Sequence, residues 1–185
     1  MDSLQNHLLI AMPSLDDPLF GRSVTYICEH NEDGAMGIVI NHPLSVDVAS
    51  LLEQLEIEFD AGSDAAKRKV CAGGPVQNDR GFVLHTPKAG FTSSMQLNQD
   101  LMITTSKDIL EQLTTDDAPE KFILALGYAG WSAGQLEQEL KDNSWLTLPL
   151  DESMLYELPY EERWLAAWRS LGVDVASVST RAGHA

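Results

Sequence analysis

Cysteines and cations are scarce in this sequence. Its 185 residues include two cysteines, Cys28 and Cys71, which are too few for a disulfide framework and lack the spacing of a zinc site. Only 12 Lys and Arg residues face 28 Asp and Glu residues, so the formal net charge is −16. Proteins that bind DNA gain most of their non-specific affinity from clustered cations that neutralise phosphates. The composition therefore argues against direct binding to nucleic acid and to anionic membranes.

Long apolar runs and targeting signals are also missing. The longest apolar run, Leu8 to Pro13, is far shorter than the ~20 residues that a membrane-spanning helix needs. Residues 1–7 carry no cationic segment of the kind that opens a secretory signal peptide. We therefore expect a cytoplasmic protein, in a compartment that keeps its thiols reduced.

The pattern of the sequence predicts one α+β domain. Strand-like segments come in adjacent pairs rather than in strict alternation with helices, which favours a largely antiparallel or mixed sheet. We expect a single domain over residues 1–176 and a disordered tail over residues 177–185, where small polar residues dominate. The predicted strands span residues 8–12, 23–29, 36–40, 70–72, 81–84, 101–105, 122–126 and 145–148.

Three of the predicted helices have recognisable starts. Ser45 is expected to cap the first, whose apolar positions are Val48, Leu51, Leu52 and Leu55. Ser132 is expected to open another, with Gln135 as its capping-box partner. The last begins after Pro159 and places four apolar residues on one face, namely Trp164, Leu165, Trp168 and Leu171.

Cys28 and His30 are the pair of residues that most suggests a chemically reactive site. Residues two apart on a strand share a face, so the imidazole is expected close enough to the thiol to lower its pKa. A thiol with a lowered pKa is what a reactive thiolate or a redox sensor requires. Cys28 also lies on a strand face with Tyr26 and Val24, where a cysteine behaves as a small buried apolar residue. Both interpretations stay open at this point.

Two glycine-rich segments are candidates for anion binding. Gly127 to Gly134 follows an apolar strand and precedes a predicted helix, whose free N–H groups favour negative charge. Gly73 and Gly74 are followed by Asp79 and Arg80, and Arg80 can hold a carboxylate or phosphate through two hydrogen bonds. The alternative for the second segment is a tight turn with a local pair between Asp79 and Arg80.

Other chemistry leaves no signature in the sequence. There is no local metal motif among the five histidines, no nucleotide-binding glycine loop and no serine nucleophile motif. We therefore expect no metal and no cofactor, and we favour a protein that is not an enzyme.

Nine segments of the sequence together resemble one known family. They are residues 8–13, 22–24, 28–31, 34–41, 73–76, 79–85, 127–131, 134–137 and 163–164. Through them the sequence resembles the YqgE/AlgH family from about Asn6 to Gly172, with Ser132 where the family's loop is expected to hold a glycine. The resemblance implies a bacterial protein with a compact α+β fold, whose sheet curls into a pseudo-barrel flanked by helices. It implies no defined chemistry, because the family has no established enzymatic activity.

These observations favour a non-enzymatic binding or regulatory protein that acts through a small ligand or a protein partner. The first alternative is a redox sensor or enzyme that uses Cys28 tuned by His30. The second is a transcriptional regulator, an inherited label of some family members that fits poorly with a net charge of −16. The candidate binding residues are Asn31, Asn41, Gly73, Gly74, Asp79, Arg80, Gly130, Trp131 and Gln135.

Overall fold

A computed structural model describes residues 2–173, in which ten strands form one sheet curled into a half-barrel. The strands are β1 (His7–Ala11), β2 (Val24–Asn31), β3 (Gly34–Val39), β4 (Pro43–Asp47), β5 (Lys69–Ala72), β6 (Val76–His85), β7 (Ser94–Asn98), β8 (Leu101–Thr104), β9 (Phe122–Ser132) and β10 (Trp145–Pro149). The helices are α1 (Val48–Gln54), α2 (Lys107–Leu110), α3 (Gln135–Lys141), α4 (Glu152–Tyr156) and α5 (Arg163–Ser170). The predicted α+β class is confirmed, whereas the expected tail, residues 177–185, lies outside the described residues.

Antiparallel pairing dominates the sheet, as the adjacent strand pairs in the sequence predict. The strand order is β10-β1-β2-β3-β9-β6-β8-β7, and β4 and β5 lie beside this path. Among the strands described, only β5 and β9 pair in parallel. No helix in the described part of the chain is long and apolar enough to cross a membrane.

Apolar side chains cover both faces of the sheet. Leu8 of β1 and Leu97 of β7 come from opposite ends of the strand order, yet they pack in one cluster, which therefore fills the concave face. The buried faces of α4 and α5 cover part of this cluster. The convex face carries two smaller clusters, one beneath α1 and α2 and one beneath α3. Strand alternation explains the division, because neighbouring residues of β9 such as Ile123 and Leu124 enter different clusters.

Strand β9 holds the two halves of the sheet together. Its first part pairs with β5 and β6, and its second part pairs with β3. The change of partner occurs at Gly127, which adopts a φ of 80°. There the chain passes directly against Gly73 and Gly74, where an added Cβ would lie 2.3 Å from the Gly127 carbonyl oxygen and 2.1 Å from the Tyr128 carbonyl carbon. Only glycine allows these two backbones to approach so closely.

The structure corrects the predicted start of α1. Asp47 caps the helix by accepting a hydrogen bond from the Ser50 N–H group at 2.8 Å, whereas Ser45 lies inside strand β4. Pairing of Pro43–Asp47 with β5 overrides the local capping preference of Ser45. Leu55 is not part of the buried face, because it follows the end of the helix and is 41% exposed.

Other local predictions also need correction. Gly127 to Trp131 continues β9 as a strand and is not a turn, so the predicted anion-binding loop does not form there. On α5, Trp164 and Trp168 are buried as predicted, but Leu165 is exposed. Three elements, β4, β7 and α4, were absent from the sequence prediction.

Replacing Gly74 by alanine is expected to lower the free energy of unfolding by about 3 kcal/mol or more, because the new methyl group overlaps the Tyr128 backbone. Gly90→Ala is the matched control, since Gly90 also has a positive φ but nothing lies within 4 Å of an added Cβ. That control should lose only about 1 kcal/mol. Urea unfolding of both variants measures the difference, and equal losses would contradict the packing role of Gly74.

Candidate ligand-binding cleft

Two bulges shape one end of the concave face. In β2 the pairing with β3 shifts between Ile27 and Glu29, so Cys28 is an extra residue. In β6 the pairing with β9 shifts between Val76 and Gly81, so residues 77–80 stand opposite the single residue Gly127. Bulges redirect side chains and often lie next to functional sites. These two open toward the same cleft.

The cleft is a cavity of about 430 Å³ with an apolar wall and a polar rim. It is bordered by residues of β2, β3, β6, β7, β8 and β9, so distant parts of the sequence build it together. The apolar wall consists of Met36, Phe82, Met95, Ile103 and Tyr128. The rim consists of Gln77, Arg80, Ser93, Ser94 and Thr105, with Cys28 also bordering the cavity.

Arg80 is the one Lys or Arg residue among those that line the cleft. Its guanidinium carbon lies 5.8 Å from the centre of the Phe82 ring. Nη1 donates a hydrogen bond to Gln77 Oε1 and Nη2 donates one to Thr105 Oγ1, both at the long distance of 3.4 Å. Both partners are neutral, and a guanidinium has five N–H donors. Among residues 2–173, Arg80 therefore keeps free donors and has no ion-pair partner at the edge of an apolar cavity.

Gln77 places Arg80 through an unusual backbone conformation. Its φ of 47° lies in the left-handed region, which costs a residue with a side chain about 1–2 kcal/mol. The conformation turns the chain out of the β6 ladder at the point where residues 77–80 leave it. The polar rim of the cleft is therefore held in place at an energetic cost, as is common at binding sites.

A second cavity of about 610 Å³ adjoins the cleft and shares Met36 and Tyr128 with it. Glu29 pairs with Met36 across the β2–β3 hairpin, and Met36 pairs with Gly130, so these residues face the same side. Asn31, Asp33 and Trp131 also line this cavity. The concave face thus carries a continuous depression that is cationic at Arg80 and acidic at the hairpin end.

The structure separates Cys28 from His30. Cys28 is buried in the cluster of the concave face, whereas the strand neighbour of His30, Ala35, packs in the cluster beneath α3. The bulge interrupts the regular alternation of β2, so the prediction that both side chains share a face is wrong. Burial, with a smaller contribution from the Glu29 carboxylate, raises the pKa of the Cys28 thiol well above its usual range.

His30 has other partners. Its Nδ1 accepts a hydrogen bond from the Leu4 N–H group at 2.8 Å, and its Nε2 contacts the carboxylate of Glu137 on α3. The hydrogen bond with His30 lowers the pKa of Glu137. The ring therefore ties the N-terminal segment and α3 to the β2–β3 hairpin, and both of its nitrogens are occupied.

Several candidate residues have structural contacts. Asn41 is buried; its Oδ1 accepts a hydrogen bond from the Val24 N–H group, and its Nδ2 donates one to the Arg22 carbonyl, both at 2.8 Å. Gln135 Oε1 accepts a hydrogen bond from the Ser132 N–H group at 2.9 Å, but Ser132 ends β9 and α3 begins only at Gln135, so the predicted helix start at Ser132 is wrong. Neither residue lines the cleft.

The remaining candidates divide between the cleft and the fold. Gly73 and Gly74 are packed against β9 rather than open to a ligand. Asn31, Gly130 and Trp131 line the adjoining cavity, and Arg80 lines the cleft. Asp79 is exposed on the bulge and forms no ion pair with Arg80 among the described residues. Within residues 2–173, no group of three His, Cys, Asp or Glu side chains is placed to hold a metal ion.

Sequence reasoning missed the apolar wall of the cleft. Phe82, Tyr128 and Ile103 alternate on strands in the ordinary way, and nothing local distinguishes them from core residues. Met95 lies on β7, a strand that was not predicted. The bulge at residues 77–80 of β6 becomes visible only when the register against β9 is known.

Both thiols are expected to react slowly with iodoacetamide at pH 8 in the folded protein, and quickly after unfolding. Burial raises the pKa of Cys71 to about 11 and raises that of Cys28 further, so little thiolate exists at this pH. Cys28→Ser and Cys71→Ser assign the two rates in a mass-spectrometric time course. Fast alkylation of Cys28 alone would contradict this expectation and favour the reactive-thiol alternative.

Glu137→Gln is expected to lower the free energy of unfolding by about 1 kcal/mol at pH 7, because it weakens the hydrogen bond to His30. The pKa of Glu137 is lower in the folded protein than in the unfolded chain, so its contribution is present above the usual carboxyl pKa and is lost as pH falls through the folded value. The difference from the unchanged protein should therefore decrease as the pH is lowered from 7 to 3. Urea unfolding at both pH values measures it.

The exposed residue Glu53 provides the control for that experiment. Glu53→Gln removes the same charge from a chain of net charge −16 and so corrects for the relief of general repulsion. A loss in Glu137→Gln that equals the change in Glu53→Gln would show that the contact with His30 contributes nothing to stability.

Comparison with known proteins assigns this chain to a family. A family model described as AlgH-like matches residues 8–176. A UPF0301 protein from Pseudoalteromonas translucida is 58% identical over 185 residues, and the match covers 100% of both chains. A UPF0301 protein from Photobacterium profundum is 55% identical, with 99% of this chain and 100% of that protein covered.

Solved structures agree with the sequence comparison. The solution structure of AlgH from Pseudomonas aeruginosa matches with a TM-score of 0.80 and 48% identity, covering 99% of this chain and 96% of that one. A protein from Corynebacterium diphtheriae matches with a TM-score of 0.67 over 92% of this chain and 87% of its own, but at 20% identity it shares the fold alone. The expected resemblance is confirmed: this chain belongs to the AlgH-like family.

Proposed function

We propose that this protein is a non-enzymatic binding protein whose cleft holds a ligand with an apolar body and an anionic group. The observation that carries the proposal is the position of Arg80, whose weakly bonded guanidinium lies at the edge of an apolar cavity. A carboxylate or phosphate can replace the neutral partners Gln77 and Thr105 with charge-assisted hydrogen bonds. The apolar body then packs between Phe82 and Met95.

Because the chain as a whole is acidic, an anionic ligand needs a local cation such as Arg80 in order to bind. A net charge of −16 repels an approaching anion, and only a close, specific partner offsets that repulsion. A charge-assisted hydrogen bond contributes about 2 kcal/mol, and burial of about 100 Å² of apolar surface contributes about 2.5 kcal/mol. The entropy cost of association offsets part of these contributions, so we expect a dissociation constant on the order of 1 mM or weaker for a small fragment. Probes therefore need to be tested at several millimolar.

The reactive-thiol alternative has one observation in its favour, which is that Cys28 borders the cleft. The raised pKa of Cys28 weighs against it, and so does the position of His30 on the opposite side of the strand. The thiol is better explained as part of the apolar surface against which a ligand packs.

Thermal unfolding tests the proposal with 3-phenylpropionate, phenyl phosphate, nucleotides and a short DNA duplex as probes. A ligand at ten times its dissociation constant adds about 1.4 kcal/mol, which raises the Tm of a domain of this size by about 3–6 °C. We expect shifts from the aromatic anions, a smaller shift in Arg80→Lys, and none in Arg80→Ala.

The exposed residue Arg169 on α5 supplies the matched control. Arg169→Ala removes the same charge outside the cleft and should leave the shifts unchanged. Equal shifts in Arg80→Ala and Arg169→Ala would contradict the assigned role of Arg80. A shift from DNA alone would instead favour the transcriptional-regulator alternative.

A further inference from the structure

We propose that the natural ligand of the cleft is the C-terminus of a partner polypeptide, which adds to the sheet as a strand beside β7 with its carboxylate on Arg80. This inference rests on the proposed function, because it requires Arg80 to bind an anion. It adds the class of the ligand and a second contact surface, the free edge of β7. Three features of that edge carry the argument.

The first feature is the unpaired backbone of β7. Among the described strands, β7 pairs with β8 alone, so its other edge is free. The Thr105 N–H group donates to the Ser93 carbonyl at 3.0 Å, and hydrogen-bonded positions alternate along an antiparallel pair. Met95 therefore bonds to β8, while the N–H and C=O groups of Ser94 and Gln96 point away from it. These groups match the requirements of an added strand.

The second feature is the exposure of the edge. Ser94, Met95 and Gln96 are all exposed, and 49% of the surface of Met95 is accessible. Natural proteins usually protect such an edge with charged residues, proline or a covering element. Here none of the three central residues carries a charge, and only the far end is covered, where Asn6 donates a hydrogen bond to the Leu97 carbonyl at 3.4 Å.

The third feature joins the edge to the cleft. Met95 pairs with Ile103 on the concave face, and both line the same cavity as Arg80. Strand β8 lies between β6 and β7, and Thr105 at its end bonds both to Arg80 and to Ser93, the residue immediately before β7. A carboxylate held by Arg80 is therefore near the beginning of β7 but on its β8 side. The added strand runs antiparallel to β7 along the free edge, and its last residue crosses the start of β7 so that its apolar side chain enters the cavity.

A chain terminus accounts for the combination better than a compact metabolite does. A small anion would use Arg80 and the cavity but would leave the backbone groups of Ser94 and Gln96 without a role. A carboxylate at the end of an extended chain uses the cation, the cavity and the edge at once. The net charge of −16 further selects partners whose preceding residues are neutral or basic.

The experiment measures fluorescence anisotropy of seven-residue peptides labelled at the N-terminus. The peptides end in leucine, valine, phenylalanine or alanine, each as a free acid and as a C-terminal amide. We expect at least one free acid to bind, its amide to bind about tenfold more weakly or worse, and Arg80→Ala to lose the preference for the acid.

The edge is tested with Gln96→Pro and its control Gln96→Ala. The Gln96 N–H group points away from β8, so proline removes a donor from the free edge without breaking a bond of the sheet. Binding should fall about tenfold in Gln96→Pro and stay within about twofold in Gln96→Ala. Thermal unfolding without ligand confirms that both variants fold.

The outcomes separate the two proposals. If aromatic anions shift the Tm through Arg80 but no free-acid peptide binds, or if Gln96→Pro binds peptides as well as Gln96→Ala does, the strand-addition proposal is overturned and the proposed function stands. If neither the small anions nor the peptides bind, both are overturned.

Discussion

The contact between two stretches of backbone, Gly73–Gly74 and Gly127–Tyr128, is the constraint on which the rest of the sheet depends. The Gly73 N–H group donates to the Leu126 carbonyl at 2.8 Å, and the Gly73 carbonyl accepts from the Val39 N–H group at 2.9 Å. One residue thus bonds to β9 and to the end of β3. Because β9 changes partners at this point, a side chain here would force apart the strands whose curvature makes the concave face.

The same contact supports the cleft. A Cβ at Gly127 would lie 3.0 Å from the Cα of Asn78, which belongs to the bulge that carries Arg80. The bulge at residues 77–80 therefore packs against Gly127, a glycine that the fold already requires. The backbone contact that lets the sheet change strand partners therefore also fixes the position of the charged rim. A substitution at this contact would be expected to affect both the fold and the cleft.

The arginines of this protein show what distinguishes Arg80. Arg163 is buried; its Nη1 donates to the Ile40 carbonyl at 2.6 Å and its Nε donates to the Leu158 carbonyl at 3.0 Å. These two backbone carbonyl groups provide the hydrogen bonds that the buried guanidinium requires. Arg80 has only two long bonds to neutral side chains that can rotate away. Its charge is therefore available to a ligand, whereas that of Arg163 is committed to the core.

Sequence patterns located the strands well because each depends on neighbours along the chain. Leu8 to Met12 and Phe122 to Leu126 are apolar runs, and their burial follows from composition alone. The strand identity of Gly127 to Trp131 depends instead on pairing with β3, which no local signal records. Likewise Ser45 is a good cap in isolation, and a partner strand distant in sequence decides otherwise.

The candidate site was predictable only in part, for a similar reason. Arg80 was identified because it follows the Gly73–Gly74 turn and because an arginine can hold a carboxylate or phosphate through two hydrogen bonds. The pair of Cys28 and His30 failed because an extra residue in β2 moves the two side chains to opposite faces. The apolar wall and the edge of β7 arise from register and curvature, and these are properties of the assembled sheet rather than of any segment.

The proposed strand addition fits the charge of this chain better than binding to DNA does. Its longest cationic run is Lys67 to Lys69, and the Arg68 guanidinium in that run lies 4.7 Å from the centre of the Phe122 ring and bonds to the Phe122 carbonyl. Two lysines remain, and two phosphate contacts give only a shallow dependence of affinity on salt and little non-specific affinity. A free sheet edge, in contrast, binds an added strand through backbone hydrogen bonds, which do not require a positively charged surface. Under the proposed binding mode, an effect on gene expression would run through a protein bound at β7 rather than through DNA held by this chain.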